Sequence, residues 1–333
     1  MSVRFAILGS GAWGIAVAVH LARKPGTAVC LWSARAETAA KMLTHRENAA
    51  VLPGVKLPDA ITITADVNES VTDADYWIIA IPTIHLTTTL ARFANVRAPM
   101  IGAISLTKGI ENTTFRRPTE ILATQLPNSD LAVLCGPSHA EEVARWLPTS
   151  LVVASSNLAF AQQVQDALGS DRFRIYSSND VIGVELAGAL KNVIGLAAGV
   201  CDGLGFGDNA KAALLTRGIV EMTRFGVALG ADPATFGGLA GQGDLIATCF
   251  SRHGRNRRAG ERLAKGEPLG DILAGAQIVE GVYTAKSVHD RAAAMGLDLP
   301  IMQSVYELLY ENKPPALAVK DLMTRAQRRE ERW

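Results

Sequence analysis

"FAILGSGAWG", residues 5–14, joins a short apolar run to a glycine turn, and the helical run Ile15–Arg23 follows it. Phe5–Leu8 read as the end of a strand, and the spacing Gly9-x-Gly11-x-x-Gly14 falls where strand passes into helix. Gly9 suits a tight turn. Gly11 lets a ligand approach the backbone, and Gly14 lets the helix pack on the strand. The helix N-terminus then faces an anion, as in the phosphate turn of a dinucleotide-binding βαβ unit. In such units the end of the second strand reads the ribose, with an acid for the 2′-hydroxyl of NAD or an arginine for the 2′-phosphate of NADP. Here "CLWSARAE" places Ser33, Ala34 and Arg35 at that point. Arg35 suits NADP(H), and it would also serve as an ordinary surface arginine.

Outward from this turn, the first half alternates short apolar runs with helical patterns. Strands are expected at Val3–Leu8, Ala28–Trp32, Ile61–Thr64, Tyr76–Ile81, Met100–Leu106, Leu131–Cys135, Leu151–Ala154 and Phe173–Tyr176. Most are continuous apolar runs, the mark of a parallel sheet covered on both faces. After residue 180 only helical periodicity remains, over Val181–Val200, Ala210–Leu229, Arg257–Leu263, Thr284–Met295, Met302–Tyr310 and Ala316–Arg328. "DGLGFGD", "GADP", "GLAGQGD" and "NKPP" read as the breaks. The boundary falls near "YSSND", giving domains 1–178 and 179–333.

The chain has 333 residues, 48% hydrophobic and 20% charged, with a net charge of +1. No global field recruits nucleic acid or a membrane. No charged and apolar leader opens the chain, and no run of about 18 apolar residues is present, so no membrane insertion and a cytoplasmic location are expected. Cys30, Cys135, Cys201 and Cys249 lie far apart without metal-ligand spacing, which reads as free thiols and no metal site.

"ELAGALKNVIGLAAG", residues 185–199, carries one lysine, Lys191, on a helical face of Gly183, Val184, Ala187, Gly188, Ile194, Gly195, Ala198 and Gly199. Glycine costs a helix about 1 kcal/mol relative to alanine, so something comes close to this face. That could be a neighbouring backbone, with Lys191 snorkelling to water, or a ligand. "ISLTKGIE" puts Lys108 at the carboxyl end of a strand, where ligands bind in open α/β sheets, and "LCGPSHAEE" puts Gly136 and Ser138 at the next. His139 has no partner spacing for zinc or a triad and reads as a supporting or surface residue. Asp244, after the glycine turn of "GLAGQGDLIATC", reads as a helix N-cap or a site carboxylate. "SRHGRNRRAGERL" gathers five arginines between Arg252 and Arg262, which could hold a phosphate or be solvated. No aromatics interleave with them, which argues against nucleic acid.

In order, GSGAWG, SLTKGIE, GPSHAEE, GALKNVIGLAAGVCDGLGFGDNAKAALLTRG, GQGDLIATC, GRNRRAG and IVEG resemble bacterial NAD(P)-dependent glycerol-3-phosphate dehydrogenase. The resemblance implies an α/β Rossmann-type N-terminal domain and an all-α C-terminal domain like that of 6-phosphogluconate dehydrogenase. It implies reversible reduction of dihydroxyacetone phosphate to sn-glycerol 3-phosphate with NADP(H) or NAD(H), for glycerophospholipid synthesis. By motif, it makes Lys191 the proton acceptor and lets Lys108, Gly136, Ser138, Asp244, Gly254, Arg255 and Asn256 hold substrate. Gly9, Gly11, Ala12, Trp13, Gly14, Arg35, Lys108, Ala140, Arg255, Ile278 and Glu280 would line the cofactor. Two positions depart from the family: Gly254 replaces a serine, removing one hydroxyl donor, and Ala12 replaces another. A homodimer is compatible with the sequence. A related hydroxyacid or 6-phosphogluconate-type dehydrogenase, or a redox sensor that binds NADPH, would share the glycine turn. The sensor would have no need of Lys191, Lys108 and Asp244 together.

Overall fold

Phe5 and Ile7 enter one core, Ala6 and Leu8 another, and all four are buried. This alternation places a strand in the middle of a sheet with two covered faces. In a computed structural model describing residues 2–96, 100–251, 253–275, 278–327 and 329–330, the sheet has eight strands. They are β1 Val3–Leu8, β2 Thr27–Trp32, β3 Ile61–Thr64, β4 Tyr76–Ile79, β5 Gly102–Ser105, β6 Asp130–Cys135, β7 Thr149–Ala154 and β8 Phe173–Ser178. Their order is β3-β2-β1-β4-β5-β6-β7-β8. The first six follow the dinucleotide-binding order, with its topological switch point between β1 and β4.

The sheet is not wholly parallel, as the apolar runs suggest: β6 and β7 pair antiparallel. The helix between them, Ala140–Ala144, has only five residues. It rises about 8 Å, whereas a six-residue strand is about 20 Å long, so it cannot carry the chain back for a parallel crossover. Trp146, with φ 64, turns the chain instead. β8 then returns parallel to β7 through the helix Leu158–Leu168.

The chain forms two compact units, Met1–Lys108 with Arg117–Val181 and Gly109–Arg116 with Ile182–Trp333. The second has no strand among its described residues. Within it the short segment Gly109–Arg116 is held by Ser287, whose Oγ donates to Asn112 Oδ1 at 2.7 Å, and by the Phe115 ring against Phe225. The helix Val181–Gly203 runs through its core. By length and mean hydropathy (1.6) this helix could cross a bilayer, a possibility that counting apolar runs misses, but 83% of that stretch is buried inside the protein. The last helix ends at Met323, short of the expected Arg328, which lies outside the described residues, as do residues 331–333 at the end of the chain.

At Gly195 and Gly199 the small-residue face of Val181–Gly203 meets protein. A Cβ on Gly199 would lie 1.8 Å from the Arg257 carbonyl oxygen, and one on Gly260 would lie 2.0 Å from that of Leu196. The helix Arg255–Ala264 therefore crosses Val181–Gly203 backbone to backbone, a contact open only to residues without side chains.

Candidate active site

In the first unit, three glycines of one turn do different work. Gly9 has φ +128, and a Cβ there would strike the Ala80 carbonyl at 2.5 Å. A Cβ on Gly14 would lie 2.0 Å from Gly9 O. Both are fixed by the protein's own packing. At Gly11 a Cβ would meet nothing within 4 Å. Packing gives no reason for glycine there, but a ligand phosphate drawn against the backbone does. Gly11 is also the N-cap of the helix Ala12–Ala22, with no side-chain cap and no acid in the first turn. Its leading N–H groups suit an anion. Beside them Trp13 Nε1 is buried without a hydrogen-bond partner among the described residues. The residues present thus fit a dinucleotide pyrophosphate.

The turn is tied to the loop after β2. Ser10 Oγ donates to Ser33 Oγ at 2.9 Å, and Ser33 Oγ donates to Arg35 O at 3.3 Å. Arg35 itself is exposed. Farther along the carboxyl edge, Lys108 Nζ and Ser138 Oγ both donate to Gly136 O, at 3.1 and 2.8 Å, and Gly136 has φ +137. The structure thus joins Lys108, Gly136 and Ser138 across the ends of β5 and β6, just ahead of Ala140 in the next helix. His139 is the N-cap residue of that helix, without a side-chain cap bond.

In the second unit, Lys191 does not snorkel. It is 7% exposed, its Nζ donates to Thr248 Oγ1 at 2.6 Å, and it pairs with Asp244 Oδ1 at 3.2 Å. Asp244, 3% exposed, begins the helix Asp244–Phe250, and the N-cap is Gly243, so the N-cap reading of Asp244 does not hold. The glycine-rich stretch before it is no simple break: Leu239–Gly243 forms a π-helical turn, a feature frequent at functional sites. Thr248 is the site residue that reading the sequence passed over. Its signal was present, because it lies four residues after Asp244 and so on the same helix face. Cys249 beside it is buried, and that burial pushes its thiol up to about 12, so it is inert.

Asn256 joins three helices. Its Nδ2 donates to Asn192 Oδ1 at 2.8 Å, and its Oδ1 accepts from Gly281 N at 2.9 Å. It therefore fixes the neighbour of Lys191 to the start of Glu280–Met295. Arg255 Nη1 lies 3.4 Å from Ile278 O, which brings together two of the residues expected at the cofactor. The arginine cluster disperses. Arg257 is paired with Asp202, which also holds Lys211, and Arg262 is paired with Glu267. Arg252 lies outside the described residues. Gly254 is the N-cap of Arg255–Ala264, and a Cβ there would lie 2.5 Å from Thr248 O. Glycine lets this loop close on the helix that carries Asp244 and Thr248.

Residues 4–161 match the family described as the NAD-dependent glycerol-3-phosphate dehydrogenase N-terminus, and residues 180–320 match its C-terminus. A glycerol-3-phosphate dehydrogenase (NAD(P)+) of Chlorobium limicola is 46% identical over 98% of this chain and 99% of that protein. One from a Thermoanaerobacter species is 45% identical over 98% and 99%. A crystal structure of glycerol-3-phosphate dehydrogenase from Coxiella burnetii superposes with a TM-score of 0.92 at 36% identity, covering 97% of this chain and 99% of that one. With a dinucleotide turn in one unit and a buried lysine–aspartate pair in the other, the chain belongs to the NAD-dependent glycerol-3-phosphate dehydrogenase family.

Proposed function

We propose that the protein catalyses the reversible NAD(P)-linked reduction of dihydroxyacetone phosphate to sn-glycerol 3-phosphate, as a cytoplasmic enzyme supplying glycerophospholipid synthesis. Residues 1–178 would bind the dinucleotide and residues 179–333 the substrate. The observation that carries this reading is Lys191, a buried ammonium held by Asp244 and Thr248. A buried charge is retained only when paired, and a structural pair is often replaceable by apolar residues. A lysine kept here for chemistry has a proton to give.

The bound nicotinamide supplies or accepts hydride at the carbonyl carbon. As the carbonyl oxygen gathers negative charge, Lys191 stabilises it and donates the proton; in the reverse direction Lys191 takes the hydroxyl proton. Asp244 pairs with Nζ, and Thr248 fixes where it points. Arg255, whose planar fork suits phosphate, would hold the substrate phosphate, with Gly254 and Asn256 shaping its approach. Lys108, Gly136 and Ser138 would be further substrate-binding residues. Ala12, Trp13, Gly14, Arg35, Ala140, Ile278 and Glu280 would border the cofactor.

The test follows NADPH absorbance with dihydroxyacetone phosphate, unphosphorylated dihydroxyacetone, lactate and 6-phosphogluconate. Only the first should turn over well, because binding energy from the phosphate orients the carbonyl. Comparable turnover of the unphosphorylated ketone or of 6-phosphogluconate would overturn the assignment.

A further inference from the structure

The loop that carries Arg35 is held from outside by a second arginine. Arg92 belongs to the short helical turn Ala91–Phe93, which is 58 residues away in sequence from Ala34. Its Nη1 donates to Ala34 O at 3.1 Å, the carbonyl of the residue just before Arg35. Its guanidinium lies over the Trp32 ring, with Cζ 4.8 Å from the centroid. Trp32 is fully buried, and its Nε1 donates to Ala65 O at 3.1 Å, so the ring that Arg92 rests on cannot swing. A stacked guanidinium keeps its edge, and its N–H donors, available in the plane of the fork. Arg92 uses one of its five donors on Ala34, and among the described residues no carboxylate is bonded to it. The acid nearest Arg35 in sequence, Glu37, is paired with Lys41 at 2.6 Å and also feels the Arg35 charge.

We infer that Arg92 is a coenzyme-specificity residue, forming with Arg35 a two-armed site for a phosphate monoester on the adenosine ribose. This rests on the reading of the β2 loop as the ribose end of the dinucleotide site. Arg92 reaches the carbonyl just before Arg35, and the acid that would accept from a free 2′-hydroxyl is missing from Ser33–Arg35. Arg35 is exposed, and Ser33 holds its backbone carbonyl. Arg92 is the pre-oriented arm, because stacking on Trp32 has already removed much of its rotamer freedom. The pair therefore favours NADPH over NADH through one group only, the 2′-phosphate.

The experiment measures binding rather than turnover. Dissociation constants for NADPH and NADH come from titrating coenzyme fluorescence against the wild type, Arg92→Gln, Arg92→Lys, Arg35→Gln and the double glutamine variant. Melting temperature without coenzyme confirms that each variant is folded. Arg92→Gln should weaken NADPH by about tenfold or more and leave NADH within about twofold, the range for losing a charged hydrogen bond. Arg92→Lys should recover only part of the loss, because lysine has the charge but neither the fork nor the stack. The double variant should bind the two coenzymes alike. Equal weakening of both coenzymes by Arg92→Gln, or no weakening of either, overturns the role of Arg92. If Arg35→Gln is then still selective against NADPH, the reading of the β2 loop survives. If Arg35→Gln is also indifferent, that reading falls with it.

Discussion

The two units build their sites from opposite materials. In the first, the dinucleotide turn is backbone: Gly9, Gly11 and Gly14 work by lacking side chains, within six residues of sequence. In the second, the site is side chain: Lys191, Asp244, Thr248, Asn192 and Asn256 meet across 57 and 64 residues of chain. The first kind of site tolerates little change in shape. The second tolerates little change in charge or hydrogen bonding. Substitutions that separate shape from charge can break this contrast.

The largest effect is expected at Lys191. Lys191→Met keeps length and helix propensity but removes the proton and the charge. kcat should fall by roughly 10²–10⁴, the range for a positioned proton-transfer group, while NADPH binding persists. The variant should also lose about 3–5 kcal/mol of stability, because one partner of a buried ion pair is removed. Adding Asp244→Asn should return much of that stability and none of the turnover. Lys108→Met, at the sheet edge, should act chiefly on KM. A collapse of kcat in Lys108→Met with near-normal turnover in Lys191→Met would exchange the two roles.

The glycine turn makes the converse test. Gly14→Ala would press on Gly9 O at 2.0 Å, and overpacking of this kind costs about 1–3 kcal/mol or more. Gly11→Ala meets open space and should leave the urea midpoint nearly unchanged. It should nevertheless weaken both NADH and NADPH by about tenfold, through contact with the pyrophosphate rather than the 2′-phosphate. Destabilisation by Gly11→Ala, or wild-type affinity in that variant, would show that Gly11 is structural after all.

Legibility follows the same division. The strands were readable because most are local apolar runs, and all eight overlap the expected segments. The glycine turn was readable because spacing and context sit within one βαβ unit. The antiparallel β6–β7 pair was not, since it depends on a five-residue helix too short to cross the sheet. For the glycine stripe the sequence left two readings, a neighbouring backbone or a ligand, and at Gly199 the backbone of Arg255–Ala264 takes the place. Lys191 and Asp244 were each visible, but their pairing was not, because nothing local links residues 53 positions apart. The partners of the arginine cluster were hidden for the same reason: Arg255, Arg257 and Arg262 face Ile278, Asp202 and Glu267 in turn.

Gly254 sharpens the point. By sequence alone, restoring the family's serine adds a hydroxyl donor at the phosphate. In this backbone a Cβ at 254 sits 2.5 Å from Thr248 O. Gly254→Ser should therefore lose about 1–3 kcal/mol and raise KM for dihydroxyacetone phosphate, as Thr248 and Lys191 shift. A lower KM with unchanged stability would mean that the loop relaxes freely and the hydroxyl is simply a missing ligand.

The smallest effect contrasts the units by pH. His20, buried in the first unit, bonds through Nε2 to Leu168 O at 2.9 Å and packs on Phe173 at 4.3 Å. Burial, with Lys24 and Arg23 nearby, lowers its pKa to about 4. Unfolded, it takes a proton below about 6.5, so its contribution to stability is present above that pH and is lost as pH falls toward 4. Glu221, buried in the second unit, accepts from Ile301 N and Met302 N at 2.8 and 3.0 Å. Burial raises its pKa to about 7, against those two bonds and Arg224, and Asp298 adds to the rise. Its folded state holds a proton that the unfolded chain releases above about 4.5. That stability is complete below 4.5 and is lost as pH rises through 7. Each term is at most about 3 kcal/mol, so the two oppose and nearly cancel in the wild type between pH 5 and 6.5. Urea unfolding at pH 5 to 8 separates them. His20→Gln should gain on the wild type toward acid, and Glu221→Gln should gain on it toward alkali. If the two differences slope the same way, at least one of these groups is not held in the protonation state that its burial demands.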